Sequence, residues 1–231
     1  MANLLLIRHA ENDYLGKRLA GHLPGVHLNP AGIQHARQLA EALQNLPVKA
    51  IYSSPLERTQ ETAQPLADLL HLPVTPCDGL AEIHFGAWQG KTLKQMARMK
   101  LWKTVQEAPS QMVFPGGESF PQAQERIVAA LAAISAGHAE EDLVACFSHS
   151  DAIKLVVAYY LGMPLDNFQR TSVDPCSITA LFLPKEGPPH ISFINQRMGL
   201  EFKKPPETKR RRKRDKEKAG GTPSEKPGGE R

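Results

Sequence analysis

Two adjacent residues near the start of the chain, Arg8 and His9, carry the first sign of chemistry. They follow the apolar run Leu4-Leu5-Leu6-Ile7. A histidine held beside a fixed cation suits one task well, accepting a phosphoryl group from a bound anionic substrate. Taken alone the pair would read equally well as the polar end of a surface strand. The pattern repeats, however. A second apolar run, Val48 to Ser53 (VKAIYS), leads into Ser54-Pro55-Leu56-Glu57-Arg58, and a third, Leu143 to Phe147 (LVACF), leads into Ser148-His149-Ser150-Asp151. Three runs thus end in cation-capable side chains, which together would make a phosphate pocket with a histidine inside it.

Such a pocket needs elements to position it. Continuous apolar runs of this length read as strands buried on both faces, as in a parallel sheet, where ligands bind beyond the carboxyl edge. The helices that follow would aim backbone N–H groups and positive dipole ends at the same edge, Ser150 at the start of one of them. Ser54 fits an N-cap and Pro55 the first helical position, placing Arg58 in the first turn of a helix that runs to about Leu70. Pro65 should kink that helix or end it early. Within it, Thr62 reads as a residue back-bonded to the helix, with the phosphate edge in reach.

Between these strands, Asn29-Pro30 opens a helix with Ile33, Ala36, Leu39, Ala40 and Leu43 on its core face and His35 off it. Ser119 and Gln122 form a capping box for a helix to about Ala136. Leu93, Met96, Ala97, Met99 and Leu101 give a further helix over residues 91–101. Ile153, Val156, Val157, Tyr160 and Leu161 mark the helix after His149. Residues 177–183 and 190–195 read as a closing hairpin. His22 and His27 lie in a loop rich in glycine and proline, without the spacing of a metal site.

Five segments carry a family resemblance: LIRHAEN at the start, SSPLERTQETA at 53–63, LAEIHFGAWQG at 80–90, PGGES at 115–119 and FSHSDAIK at 147–154. In this order they resemble the histidine phosphatase superfamily, the phosphoglycerate mutase-like family, across most of residues 1–200. The FGxWxG segment is similar to that of the small bacterial phosphatase-like branch. The resemblance implies an α/β fold, a three-layer α/β/α sandwich on a mostly parallel sheet, with a small helical cap inserted at about 84–120 that holds specificity. It makes His9 the nucleophile and Glu82 the proton donor. Arg8, Arg58 and His149, with Asn12 and Ser150, would bind the substrate phosphate. Neither a cofactor nor a metal is called for.

Some residues depart from the family pattern. Asn12 stands for the commoner threonine, Leu15 for asparagine, Gln89 for glutamate, and Ser150-Asp151 for a glycine pair. Asp151 would repel a second phosphate on the substrate, or cap the helix behind it.

Composition bounds the rest. At 231 residues the chain allows one sizeable α/β domain. Cys77, Cys146 and Cys176 are scattered and odd in number, which fits reduced thiols in a cytoplasmic protein. No signal peptide and no membrane-length apolar stretch is evident. From Lys203 onward the composition changes to a basic tail, expected to be disordered. Its 12 Lys and Arg against 5 Asp and Glu give +7, so with +4 overall the first 202 residues carry −3. The basic tail could contact nucleic acid or another polyanion. A small phosphorylated metabolite is the expected substrate, and a homodimer is compatible with the sequence.

The expected reaction has two steps: His9 takes the phosphoryl group while Glu82 protonates the leaving oxygen, and a water activated by the same carboxylate then hydrolyses the phosphohistidine. Protonated His149, with Arg8 and Arg58, would stabilise the transferring group. The alternatives are a phosphomutase of the phosphoglycerate mutase type, or a weakly catalytic binding module localised by its tail.

Overall fold

A computed structural model describes residues 2–197 of the chain; the basic tail lies outside them. Six strands form one sheet in the order β3-β2-β4-β1-β5-β6. The strands are β1 (Asn3–Arg8), β2 (Val48–Ser53), β3 (Val74–Pro76), β4 (Leu143–Ser148), β5 (Ile178–Phe182) and β6 (His190–Gln196). The first four are parallel; β5 and β6 are antiparallel additions at one edge.

Alternation along β1 shows why the sheet is covered on both sides. Leu4 and Leu6 face one layer, where Val144 and Cys146 meet α5 (Phe120–Ala136) and α6 (Ser150–Tyr160) through Ile127, Leu131, Ile153 and Val156. Leu5 and Ile7 face the other, where Ala145 and Phe147 meet α1 (Pro30–Leu43) and α2 (Glu57–Leu70). With a two-residue side-chain period, a strand apolar at every position must be sandwiched. This is the α/β/α sandwich on a mostly parallel sheet.

A third apolar cluster lies beyond the sheet's carboxyl edge. Ile83, Phe85, Trp88, Met96, Met112 and Phe114 pack there against Phe120, Leu155 and Phe168. This segment contains α3 (Leu93–Met96) and α4 (Trp102–Glu107). Of the apolar residues spaced along 91–101, only Leu93 and Met96 are helical, in α3; Ala97, Met99 and Leu101 fall in the turn before α4, and Leu93 and Leu101 are exposed rather than buried. The capping box at Ser119 and Gln122 is present in both directions.

Three local expectations are corrected. The helix that carries Arg58 begins at Glu57 with Leu56 at its N-cap, two residues later than Pro55 implied. It continues through Pro65 to Leu70, because Thr59, Thr62, Ala63, Leu66 and Ala67 are buried on both sides of the proline. Burial of such residues outweighs the ~3 kcal/mol that an internal proline costs. In α1, Ile33 points to solvent and Gly32 takes the inner position, where an added Cβ would run into the Glu11 backbone.

Candidate active site

Register brings the three strand ends level. Arg8 on β1 pairs with Ser148 on β4, and Ser53 on β2 pairs with Phe147. His9 N–H then donates to the Ser148 carbonyl (3.0 Å) and Ser54 N–H to that of Phe147 (2.9 Å). Arg8, His9, Arg58, Asn12 and Ser150 consequently line one cavity of about 230 Å³, together with Glu82, Asp151 and the loop residues Tyr14, Leu15, Arg18 and Leu19. His149 lies directly behind them and is fully buried.

His9 is fixed by one hydrogen bond. Its Nδ1 lies 2.7 Å from the Ala10 carbonyl, an acceptor, so Nδ1 carries the proton and Nε2 is left with its lone pair. Burial, then the charges of Arg58 and Arg8, hold the ring's pKa well below its ordinary value. Thr62 braces this turn from α2, accepting from Ala10 N–H (3.0 Å) and donating to the Arg58 carbonyl (2.6 Å).

Arg58 is nearly out of solvent and Arg8 is half-buried, and among the described residues neither has a carboxylate partner. Arg8 donates to the Val173 carbonyl (2.6 Å), and Arg58 to the Gly21 carbonyl (2.9 Å) and to His149 Nδ1 (3.2 Å). Arg8 Nε and Arg58 Nη1 are buried with no partner among the described residues. A buried guanidinium with spare donors is costly unless an anion engages it.

The bond from Arg58 settles the tautomer of His149. A guanidinium can only donate, so Nδ1 accepts and Nε2–H donates to Ser54 Oγ (2.8 Å). His149 is thus neutral in the free site; burial and the neighbouring Arg58 charge hold its pKa well below the ordinary value. Ser54 is correspondingly not the helix cap but the hydroxyl that receives His149.

Glu82 sits in the loop after β3 and lines the cavity opposite the strand ends. Burial, and next the negative charge of Asp151, push its carboxyl up to about 7, against the opposing pull of Arg58 and of Ile83 N–H. Its oxygen accepts from Ile83 N–H at 3.0 Å. Its backbone is held by two residues whose part was not foreseen. His22 Nε2–H donates to the Glu82 carbonyl (2.6 Å), and Arg126 donates to the carbonyls of Gly79, Ala81 and Glu82 while pairing with Glu118 (2.6 Å). Glu118 also accepts from His84 N–H (2.9 Å), so its role is in bracing this loop. No local pattern marks Arg126, which lies on the polar side of a helix more than 40 residues away. Arg18 went unnoticed too; it stands in the loop beside the pocket, exposed, donating to the Gly90 carbonyl (3.0 Å).

Asn12 is buried and lines the pocket, its Oδ1 accepting from Tyr14 N–H. Lys94, Arg98 and Lys100 are exposed and line no part of the cavity, nor does Lys91. His27 pairs with Glu61 and His35 with Glu11, the latter at 2.8 Å rather than facing solvent freely.

The matching family model is the histidine phosphatase superfamily (branch 1), and it covers residues 4–196. The chain belongs to this superfamily. Histidine phosphatase relatives include phosphoserine phosphatase 1 of Hydrogenobacter thermophilus, 28% identical over 79% of this chain and 87% of that protein. Phosphoglycerate mutase-like protein 4 of Arabidopsis thaliana is 33% identical over 62% of this chain and 64% of its own length. Among solved structures, YhfR of Bacillus stearothermophilus superposes with a TM-score of 0.80 at 27% identity, over 86% of this chain and 98% of that one. The histidine phosphatase assignment covers phosphatases and mutase-like proteins alike, and with it a phosphorylated small-molecule substrate. No helix among the described residues is long and apolar enough to cross a membrane.

Proposed function

We propose that this histidine phosphatase is a phosphomonoester hydrolase that works through a phosphohistidine on His9. The observation that carries the reading is the pair of arginines with buried, unpartnered donor atoms lining one cavity with a histidine whose Nε2 is left with its lone pair. The substrate phosphate docks against Arg8 and Arg58, with Asn12 and the Ser150 N–H at the start of α6 completing its shell. His9 Nε2 attacks phosphorus in line, and the P–O bond to the alcohol breaks. Glu82, protonated through its raised pKa, delivers its proton to the leaving oxygen.

Water then attacks the phosphohistidine. Glu82, now a carboxylate, takes its proton, and inorganic phosphate leaves with His9 restored. The positive charge that the transferring group requires comes from the two arginines. Once a phosphate dianion lies beside His149, the charge that now keeps that ring neutral is offset, and Nδ1 can take a proton and turn from Arg58 toward the phosphate.

The test is phosphate release from a panel of monoesters with EDTA present, His9→Ala as control, and a rapid quench into alkali. The expected result is release by the wild type, lost by at least 10³-fold in His9→Ala, with an acid-labile, alkali-stable phosphoryl label on the protein. Release that survives the substitution would overturn the reading. Transfer of the label to a second position of the substrate, rather than to water, would make the protein a phosphomutase instead.

A further inference from the structure

The catalytic cavity adjoins a second one of about 150 Å³, and Leu19, Phe85 and Asp151 line both. The second chamber is walled by Trp88, Met96, Trp102, Phe114 and neighbouring residues of the segment beyond the sheet edge. Its aromatic rings hold one another. Phe85 and Trp88 each meet Phe114 edge to face, at 4.9 and 5.4 Å between centroids, and Trp102 stacks over Trp88 at 6.5 Å. Rings interlocked in this way form a fixed wall. Trp88 is 1% exposed, yet its Nε1–H has no partner among the described residues. Buried indole donors are ordinarily satisfied.

Asp151 stands at the junction. Its Oδ1 pairs with Lys154 (3.2 Å), which lines neither cavity, and its charge is felt by both Arg8 and Glu82. An alcohol that carries a carboxylate or a second phosphate close to the ester would have to seat that group beside Asp151 and against aromatic carbon. The one further cation lining the pocket, Arg18, is exposed and lies on the loop at its solvent side.

We propose that the leaving alcohol is apolar or aromatic, seated in the chamber between Phe85, Trp88, Met96, Trp102 and Phe114, and that Asp151 excludes esters bearing an anionic group near the phosphate. This rests on the phosphomonoesterase reading above. The class is a phosphomonoester of a hydrocarbon-rich alcohol, with a hydrogen-bond acceptor that can meet Trp88.

The test compares kcat/KM for 2-phenylethyl phosphate with that for 3-phosphoglycerate and phosphoserine. All three release an alkoxide, so a difference reports recognition rather than leaving-group chemistry. The phenylethyl ester should be favoured by about 10-fold or more, the scale on which apolar pockets discriminate. Asp151→Asn should narrow the ratio at least threefold by improving the anionic esters. A wild-type ratio of one or less overturns the proposal while leaving the phosphatase standing, and loss of the anionic esters in Arg18→Ala would then place their second charge at Arg18. Should no ester be hydrolysed, the phosphatase reading fails, and calorimetry with phenylphosphonate and phosphonoacetate still reads the chamber. Phenylphosphonate binding 10-fold tighter supports it; equal or weaker binding overturns it.

Discussion

At the scale of single residues, the proposed acid and the proposed nucleophile are separated by environment. Glu82 and His9 border one cavity, yet burial drives the carboxyl up to about 7 and the imidazole well down. The first step, which needs neutral His9 and protonated Glu82, is therefore expected to run fully at mildly acid pH. Its kcat/KM should fall about tenfold per unit above pH ~7. Glu82→Gln should lose 10²- to 10⁴-fold in activity and, with it, that alkaline limb; a limb that persists in the variant would assign it to another group. The same shift bears on stability. Since the folded value lies above the ordinary 4.5, this contribution is complete below pH 4.5 and is lost as pH rises through about 7, a change of ~3 kcal/mol. His9 and His149 act on the other side, their folded values being lowered, so stability from them is lost as pH falls below 6.5. The Tm of Glu82→Gln relative to wild type should accordingly rise between pH 5 and pH 8 in thermal scans. No rise would mean that Glu82 stays solvated. The raised acid could not have been read from LAEIHFG, because its causes are burial by the surrounding fold and then the charge of Asp151, 69 positions along the chain.

Among elements, the segments that were legible are those whose signal is local. β1 and β4 are continuous apolar runs and β2 is one broken by Lys49, and the α5 start is written in Ser119 and Gln122 alone. What escaped was decided by packing across the chain. Pro65 survives inside α2 because both turns around it are buried, Ile33 yields its place to Gly32 because Glu11 passes there, and Ser54 leaves the helix start to receive His149. The three residues of β3 are too short to give a period. The loop that positions Glu82 belongs to this second kind. It is laced to residues 114–118 by Ala87 N–H on the Pro115 carbonyl (2.8 Å) and Glu118 N–H on that of His84 (2.9 Å). Gly117 lies where any Cβ would collide with the His84 carbonyl and the Gly86 nitrogen, whereas next to it Gly116, at φ +69°, has open space around it. Gly117→Ala is thus expected to push the two segments apart, costing about 2–3 kcal/mol and several degrees in Tm, with kcat reduced through displaced Glu82. Gly116→Ala pays only the left-handed backbone, about 1 kcal/mol. Equal losses for the pair would show that contact with His84 does not set the position of this loop.

For the whole molecule, charge is divided in a way that the pI of about 9.0 conceals. The first 202 residues carry −3 and the last 29 carry +7, six of those positive charges in the run KRRRKR at 209–214. The cations that the proposed chemistry requires are few, Arg8 and Arg58, each with a buried unpartnered donor, and on that proposal they act on a phosphate within hydrogen-bond reach. A basic run could add to them only by coming within about 8–10 Å, the distance over which exposed charges are screened at physiological salt. Its affinity for a polyanion should instead come from released counterions and decline steeply as salt rises. Replacing residues 209–214 by serine in the full chain turns the net charge from +4 to −2. The substituted protein should elute from a heparin or duplex-DNA column at markedly lower salt, with kcat/KM for a small uncharged-tail ester changed less than about twofold. Unchanged elution would remove the polyanion from the list of partners. A large fall in kcat/KM would mean that the run reaches the pocket, and that substrate is gathered by charges outside it.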